Sequence, residues 1–270
     1  MPTLDAAACA SLMDGVTEIA VRAATAIRRT GPAHVRRKPD GSPVSAADEA
    51  AEAAICNGLA QLAPALPIVS EEQTRRITPA AGASYFLVDP LDGTREFIAG
   101  RDEFTVNIGV MSDGTPILGV IVAPALGLLW RGIVGLGAER ARLAADGAIL
   151  DLETMHSRKP MPRTPVIAVS RSHLDDRTRA FIARWRDATT IAGGSAMKFC
   201  RIAEGAADLY PRLSPTCDWD VAAGHAIVKA AGGTVAAPEG GALRYGTLEL
   251  IIPGFIATGD PASAATTTGI

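Results

Sequence analysis

The order of hydrophobic and polar positions divides the chain into two parts with different patterns. In the first part, apolar residues recur at roughly helical spacing over two stretches, and several segments that follow are short and apolar or alternate between apolar and polar residues. The predicted helices cover residues 5–29 and 45–61, and the predicted strands cover residues 67–69, 85–88, 103–110, 116–123 and 128–134. The first part is therefore predicted to contain two helices followed by several antiparallel strands.

The second part alternates short strands with helices, which is typical of a layered α/β structure. The predicted strands cover residues 166–170, 189–192, 208–210, 234–236 and 248–252, and the predicted helices cover residues 175–186, 195–204 and 218–231. A polar, proline-containing stretch at 138–165 separates the two parts. We therefore predict an N-terminal α+β half (1–138) and a C-terminal α/β half (139–270), with a frayed tail at 260–270.

Two further segments are interpreted from their composition. Residues 31–45 have no periodicity and carry several basic side chains, which predicts a mobile basic loop. Such a loop is either simply solvated or a lid over an anionic ligand. The longest apolar run, 117–130, is too short to span a membrane and contains glycine and proline, so we predict a hairpin there.

Composition and charge narrow the class of protein. The 270 residues are 48% hydrophobic and 20% charged, which predicts a globular chain with a substantial core, and the net charge of −3 argues against nucleic-acid binding. The four cysteines are scattered, and no basic region precedes an apolar one near residue 1. We therefore expect a reduced, cytoplasmic setting.

The candidate chemistry is concentrated in the stretch YFLVDPLDGT, residues 85–94. Asp89 and Asp92 leave the end of one predicted strand together, and the turn between them allows both carboxylates to point at one spot. Their repulsion favours a bound cation, and Mg²⁺ prefers carboxylate oxygens. The amides of Gly93 and Thr94 would open a short helix and offer donors to an anion. A metal site beside an anion site suggests phosphate chemistry. This motif alone, however, fits a surface turn equally well.

Other acidic residues also lie at the ends of predicted elements. Ser45 followed by Asp48 has the form of a capping box, and from the residues alone helix capping explains Asp48. Glu71 and Glu72 follow a predicted strand. Adjacent glutamates are more typical of a solvated surface, and the sequence does not choose between them.

Taken together, these motifs resemble the magnesium-dependent, lithium-sensitive phosphatase superfamily that includes inositol monophosphatases and 3'(2'),5'-bisphosphate nucleotidases. The motifs are SPVS (42–45) with Asp48, SEE (70–72), DPLDGT (89–94) and WDVAAG (219–224), in the superfamily's order. The resemblance runs from the second helix almost to the C-terminus. It implies the layered αβαβα fold of these sugar phosphatases.

Within that superfamily the chain is most similar to the CysQ-type bisphosphate nucleotidases, through residues 89–110, 170–173 and 195–226. This implies hydrolysis of 3'-phosphoadenosine 5'-phosphate (PAP) to AMP and phosphate, as in sulfate assimilation. Gly193-Gly194-Ser195 and Val221 stand where those relatives more often have a further serine and a threonine, which bears on substrate choice. The alternatives are an inositol-1-monophosphatase or related sugar phosphatase, and a non-catalytic partner-binding protein of the same fold.

The resemblance also implies roles for individual residues. Two or three Mg²⁺ ions, with inhibition by Li⁺, would be bound by Glu71, Asp89, Asp92, Asp220 and the Leu91 carbonyl. Thr94 paired with Asp48 would orient and deprotonate the attacking water, a role beyond helix capping. The residues implied to contact the substrate at its phosphate are Glu71, Leu91, Asp92, Gly93, Thr94 and Asp220.

The nucleotide contacts implied by the resemblance are Ser195, Lys198 and Arg212, and more loosely His173. From the residues alone, Ser195 and Lys198 share a face at a predicted helix start, and an arginine can fork onto phosphate or stack on adenine. Ordinary surface charge remains the alternative. Lys38 is further expected to approach the metals if its loop closes. The expected partner is a small nucleotide bisphosphate and not a nucleic acid, while a homodimer and a peripheral association with the inner face of the cell membrane are left open.

Overall fold

The computed structural model describes residues 3–39, 41–73, 80 and 82–264. The helices in these ranges are α1 (Ala6–Thr30), α2 (Ala46–Leu62), α3 (Thr94–Ile98), α4 (Asp176–Ile182), α5 (Met197–Ala203) and α6 (Asp218–Ala230). The predictions for α1, α2, α3 and α6 are confirmed, whereas α4 and α5 are shorter than predicted. Asp5 and Ser45 cap α1 and α2 with their side chains, as their residue types favour.

The strands form four sheets, two of which contain only two strands. In chain order the strands are β1 (Arg36–Arg37), β2 (Pro43–Val44), β3 (Ile68–Ser70), β4 (Tyr85–Asp92), β5 (Thr105–Ser112), β6 (Thr115–Ala123), β7 (Leu128–Ile133), β8 (Gly137–Leu143), β9 (Ile149–Met155), β10 (Val166–Ser170), β11 (Thr189–Gly193), β12 (Leu209–Arg212), β13 (Thr216–Cys217), β14 (Thr234–Ala236), β15 (Ile251–Ile252) and β16 (Phe255–Thr258).

The larger sheet contains β3 to β9 in chain order. β3 is parallel to β4, and every later neighbour is antiparallel, as predicted for the first half. β8 and β9 lie in the polar stretch for which no strand was predicted, because almost every residue of β9 is exposed and gives no apolar alternation. Since β8 and β9 belong to this sheet, we propose the division between the halves after β9 rather than at residue 138.

The second sheet has the order β11-β10-β12-β16-β14. β10 is parallel to both of its neighbours, and β16 is antiparallel to β12 and β14. The fully buried β16 was not predicted, whereas the strand predicted at 248–252 is reduced to β15, which pairs with β13. The second half therefore has the expected α/β character with a mixed sheet.

The helices and the two main sheets stack in five layers. α1 and α2 pack on one face of the larger sheet, and α5 and α6 lie between the two sheets. α4 contacts β12 on the outer face of the second sheet, where Phe181 packs with Leu213 and Ile256. The αβαβα architecture is thus the predicted one.

Glycines in the larger sheet bring α6 close to it. A Cβ atom at Gly119 would lie 2.2 Å from the Ala223 carbonyl oxygen, and one at Gly109 would lie 3.1 Å from the Ala222 Cβ. Only glycine tolerates such an approach without a shift of the helix. α6, whose first turn carries Asp220, is thereby held against β5 and β6.

The remaining predictions concern the basic segment 31–45, the apolar segment 117–130 and the C-terminal tail. Residues 31–45, predicted to lack regular structure, contain the antiparallel β1–β2 hairpin; Asp40 lies outside the described residues. Each strand of this hairpin has only two residues, which is too short for an alternation of apolar and polar residues to predict it. Residues 117–130 form the expected β6–β7 hairpin, and in the described residues no helix is long and apolar enough to cross a membrane. Residues 265–270 of the predicted frayed tail are not described.

Candidate active site

A cavity of about 280 Å³ lies between the β4–α3 segment of the first half and α5, α6 and β12 of the second. The predicted site residues that line it are Glu71, Asp89, Leu91, Asp92, Gly93, Thr94, His173, Ser195, Lys198, Arg212 and Asp220. Asp48 lies behind Thr94 rather than in the lining. The structure therefore brings the predicted metal ligands and the predicted nucleotide contacts into one cleft.

The β4–α3 segment places two acids side by side at the floor of this cleft. The pairing of β4 with β5 shifts register between Asp89 and Asp92, so that both lie at the irregular end of the strand. Gly93 then adopts φ of +94°, in the left-handed region that glycine favours, and α3 begins at Thr94. The Leu91 N–H donates to Asp89 Oδ1 at 3.0 Å, which holds this turn in place.

Two further acids reach the same cleft from other elements. Glu71 follows β3, and its N–H donates to the Val88 carbonyl at 3.1 Å, so the parallel register of β3 and β4 places it beside Asp89. Of the two adjacent glutamates, Glu71 and not Glu72 lines the cavity. Asp220 is the third residue of α6, where its Oδ2 accepts from the Cys217 N–H at 3.1 Å and from the Thr216 hydroxyl.

The crowding of these acids perturbs their protonation. Burial, followed by the charges of Glu71, Asp92 and Asp220, raises the pKa of Asp89 well above its usual range. Burial and the Asp220 charge raise the pKa of Asp92 to about 7, against the lowering influence of Lys198 and Arg212. Burial also raises the pKa of Glu71 to about 7, in spite of a nearby lysine. Such mutual repulsion is what a bound cation relieves.

The chemistry of this donor set suits Mg²⁺, since carboxylate oxygens and a main-chain carbonyl are hard ligands. Among the described residues, these donors are not arranged around one point as the ligands of a metal ion would be. Within the residues that the structure describes, no three Asp, Glu, His or Cys side chains are grouped so that they could hold one ion. Glu71 is instead bound by Lys38, and Asp220 is bound by Thr216 and Cys217.

Lys38 from the β1–β2 segment reaches the acids directly. Its Nζ donates to Glu71 Oε1 at 2.7 Å and to Glu72 Oε1 at 2.6 Å. Although burial opposes the charged form, these two carboxylates raise the pKa of Lys38 above its ordinary value. This contact places Lys38 on two of the acids, whereas its expected approach to the metals on closure of the loop stays a prediction.

Thr94 and Asp48 form the pair that the family resemblance implied. Thr94 Oγ1 lies 2.9 Å from Asp48 Oδ1 and 3.1 Å from the Leu91 carbonyl oxygen. The other oxygen of Asp48, Oδ2, accepts from the Ser45 N–H at 2.8 Å and from the Ser45 hydroxyl at 2.6 Å. Asp48 is buried, so its orientation is set by the helix cap on one side and by Thr94 on the other.

Two cationic side chains, Lys198 and Arg212, line the same cleft as the acids. Lys198 is buried in the first turn of α5, with its Nζ 5.2 Å from the centre of the Tyr210 ring. Burial, aided by Arg212, lowers the pKa of Lys198 to about 8, although Asp92 counteracts this. The Nε of Arg212 is buried and has no hydrogen-bond partner within the described structure. Lys198 Nζ donates to two main-chain carbonyls, so it keeps one donor for an anionic ligand, and Arg212 keeps its Nε.

The predicted helix position of Ser195 is wrong. α5 begins at Met197, and Ser195 precedes it with φ of +46° and a buried hydroxyl that has no partner among the described residues. Lys198 donates to the Ser195 carbonyl at 2.5 Å, so the two residues meet through the main chain rather than along one helix face. β11 ends at Gly193, and residues 194–196 connect it to α5 where the pattern predicted a helix from residue 195.

Several contacts around the cleft were missed by the sequence analysis. Asn107 donates to Asp92 Oδ2 at 3.3 Å, Ser172 binds Glu96, and Glu103 binds both Arg171 and the Gly194 N–H. Asn107 and Asp92 are 15 positions apart and the other pairs at least 68, and no local pattern distinguishes these residues from ordinary polar side chains.

Comparisons with known proteins agree with this geometry. The model of the inositol monophosphatase family matches residues 4–266. The chain is 40% identical over 250 residues to the 3'(2'),5'-bisphosphate nucleotidase CysQ of Shigella flexneri, covering 90% of this chain and 98% of that protein. It is 39% identical to the protein of the same name from Escherichia coli (strain K12), with the same coverage.

Solved structures of related proteins have the same fold. The crystal structure of CysQ from Bacteroides thetaiotaomicron, described as a bacterial member of the inositol monophosphatase family, superposes with a TM-score of 0.75 at 34% identity, covering 91% of this chain and 96% of that chain. The extragenic suppressor protein SuhB from Bartonella henselae superposes with a TM-score of 0.75 at 27% identity, covering 94% and 95%. With its fold, its acidic cleft and these relatives, the chain belongs to the inositol monophosphatase family.

Proposed function

We propose that the chain is a Mg²⁺-dependent 3'(2'),5'-bisphosphate nucleotidase that hydrolyses the 3'-phosphate of PAP to give AMP and phosphate. The observation that carries this proposal is the polarity of the cleft. Four acids and Thr94, which is paired with Asp48, line the cleft and would form its acidic end. Lys198 and Arg212 line the same cleft, near enough to lower the pKa of Asp92, and would form its cationic end. A substrate with one phosphate to be hydrolysed and a second to be held matches both ends, and the CysQ relatives carry the corresponding name.

The acidic end is where the metal would be held. Glu71, Asp89, Asp92, Asp220 and the Leu91 carbonyl would supply its ligands, and Lys38 and Thr216 would release Glu71 and Asp220 to do so. When bound, Mg²⁺ supplies an acidified water and neutralises charge on the phosphoryl and leaving oxygens. We further propose two or three ions and inhibition by Li⁺.

The Thr94–Asp48 pair would handle the proton of the attacking water. If Thr94 donates its hydroxyl proton to Asp48 Oδ1, its oxygen lone pairs are free to accept a hydrogen bond from water. The Ser45 cap fixes Asp48 so that Oδ1 stays directed at Thr94. The amides at Gly93 and Thr94, at the start of α3, would bind the phosphoryl oxygens.

The cationic end would bind the remainder of the substrate. Lys198 offers an ammonium group, and the Nε of Arg212 and the Ser195 hydroxyl lack a partner in the described structure. His173 lines the same wall. A small polyol monophosphate has no second phosphate for these groups, which is why the inositol monophosphatase alternative is the weaker one.

The proposal includes a cytoplasmic location and a role in PAP turnover during sulfate assimilation. The homodimer and the peripheral membrane association stay predictions, since neither is tested by the described residues.

The proposed hydrolysis of PAP is tested by identifying its products. Purified protein is incubated with PAP and Mg²⁺, and the products are separated and identified by ³¹P NMR. The proposal expects equal amounts of AMP and inorganic phosphate, with no turnover when EDTA replaces Mg²⁺. Release of the 5'-phosphate, or turnover that persists in EDTA, would contradict it.

A further inference from the structure

Glu103 does not line the cleft but contacts two segments that do. Its carbonyl oxygen would lie 3.0 Å from a Cβ at Gly93 and 2.5 Å from a Cβ at Gly194. A Cβ atom at Gly194 would clash with the main chain of Glu103, and Gly93 is tight there and also adopts a φ of +94° that favours glycine. The residue therefore packs against the turn after β4 and against residues 193–195, here called the 193–195 turn.

The carboxylate of Glu103 makes three hydrogen bonds across the two halves. Its two oxygens accept from Arg171 Nε at 2.8 Å and Arg171 Nη2 at 2.7 Å, and Oε2 also accepts from the Gly194 N–H at 3.0 Å. Arg171 in turn donates through its backbone N–H to the Gly193 carbonyl at 3.1 Å and through Nη2 to the Ala192 carbonyl at 3.3 Å. The 193–195 turn is thus held on both sides by one forked ion pair.

The 193–195 turn controls two groups of the cationic end. Lys198 Nζ donates to the carbonyls of Gly193 at 3.2 Å and Ser195 at 2.5 Å, so the turn sets where the ammonium group lies. Ser195 is in the left-handed region, with its hydroxyl buried and unpartnered among the described residues. A shift of the turn would displace both groups together.

We propose that Glu103 is a positioning residue for substrate recognition, which acts through Gly194 and Arg171 to fix Ser195 and Lys198. This inference rests on the proposed function, since it assigns those two groups to the nucleotide. The Glu103 and Arg171 side chains are 25% and 41% exposed, and ion pairs so exposed contribute little to stability. Loss of the pair should therefore affect recognition rather than folding.

The test compares Glu103→Ala and Glu103→Gln with Glu153→Ala as the matched control. Glu153 also binds an arginine with a forked contact, to Arg140, on the exposed strands β8 and β9 away from the cleft. KM and kcat are measured for PAP and inositol 1-phosphate, together with the Kd of AMP by calorimetry and the thermal midpoint of each variant. Calorimetry reports nucleotide binding even if turnover is slow.

Glu103→Ala is expected to raise the KM for PAP and the Kd for AMP at least about fivefold, with kcat within about twofold of wild type. Glu103→Gln, which keeps an acceptor for Gly194, should lie in between. Constants for inositol 1-phosphate should stay within about twofold. The inference is overturned if Glu103→Ala binds AMP as Glu153→Ala does, or if it loses activity equally on both substrates with a lowered thermal midpoint. Failure of the wild-type protein to hydrolyse PAP would instead refute the proposed function.

Discussion

Thr94 Oγ1 lies 2.9 Å from Asp48 Oδ1, although the two residues are 46 positions apart in the chain. Helix capping and catalysis are therefore not competing explanations of Asp48. One oxygen caps α2 through Ser45, and the other is left for Thr94. The cap keeps the carboxylate in one orientation, which is what a group that accepts a proton from water through a threonine requires.

Removing the Thr94 hydroxyl should abolish most of the turnover. We expect Thr94→Ala to lower kcat for PAP at least about 100-fold, as for loss of general-base assistance, and Thr94→Ser to retain most of it. The Mg²⁺ concentration for half-maximal activity should change little in Thr94→Ser. If Thr94→Ala kept more than a tenth of wild-type kcat, the proposed role of the pair would be refuted.

Neutralising the cationic end should weaken substrate binding selectively. We expect Lys198→Met to raise the KM for PAP at least about tenfold, because a charge-assisted contact to phosphate is lost. Inositol 1-phosphate should be less affected. Lys229→Met, an exposed lysine in the last turn of α6, is the matched control and should behave as wild type. Equal effects of both variants would argue against a substrate contact for Lys198.

The metal-free protein should lose stability as the pH rises. Asp92 and Glu71 have folded-state pKa values of about 7, above their unfolded values of about 4. Between those values the unfolded chain releases protons that the folded protein retains, so the free energy of unfolding falls as pH increases to about 7. We expect the thermal midpoint in EDTA to drop by several degrees, on the order of 5 °C, between pH 5 and 8.

Two controls separate this effect from others. Asp92→Asn should flatten the pH dependence, whereas the exposed Asp102→Asn should not. Mg²⁺ should raise the thermal midpoint at pH 8 more than at pH 5, because metal binding needs the ionised carboxylates. A metal-free thermal midpoint that rises steadily over this range would contradict the assignment of raised pKa values.

The close approach of α6 to the larger sheet should be intolerant of added volume. In Gly119→Ala the new methyl group would lie 2.2 Å from the Ala223 carbonyl oxygen. We expect a loss of about 1–3 kcal/mol in the free energy of unfolding, as for other overpacked cores. Because α6 carries Asp220, the Mg²⁺ concentration for half-maximal activity should also increase. Urea denaturation measures the first effect, and a loss under about 0.5 kcal/mol would show that α6 does not pack as described.

The features that were predicted best are those whose residues lie next to one another in the sequence. The acids at 89 and 92, the glycine after them and the start of α3 all lie within six residues, so one motif defined the centre of the site. The helices α1 and α2 have caps and long apolar faces. These local patterns predicted the helices, whereas the layered αβαβα arrangement was implied by the family resemblance of the combined motifs.

Contacts between distant segments could not be predicted in this way. Lys38 and Glu71 are 33 residues apart, and Glu103 and Arg171 are 68 apart. Nothing in the local composition of either pair indicates its partner. β9 was missed for a different reason, because its exposed side chains resemble a polar loop while its pairing depends on β8. Ser195 was misplaced because α5 begins only at Met197, after a left-handed Ser195 that no local pattern indicates.

The central claim is that the cleft selects a nucleoside bisphosphate. The most direct measurement is the ratio of kcat/KM for PAP to that for inositol 1-phosphate, determined side by side in Mg²⁺ with Asp92→Asn as the blank. The account predicts a preference for PAP of at least about tenfold and no metal-dependent turnover in the blank. Equal or greater efficiency with inositol 1-phosphate would contradict the claim and make a sugar phosphatase the better description.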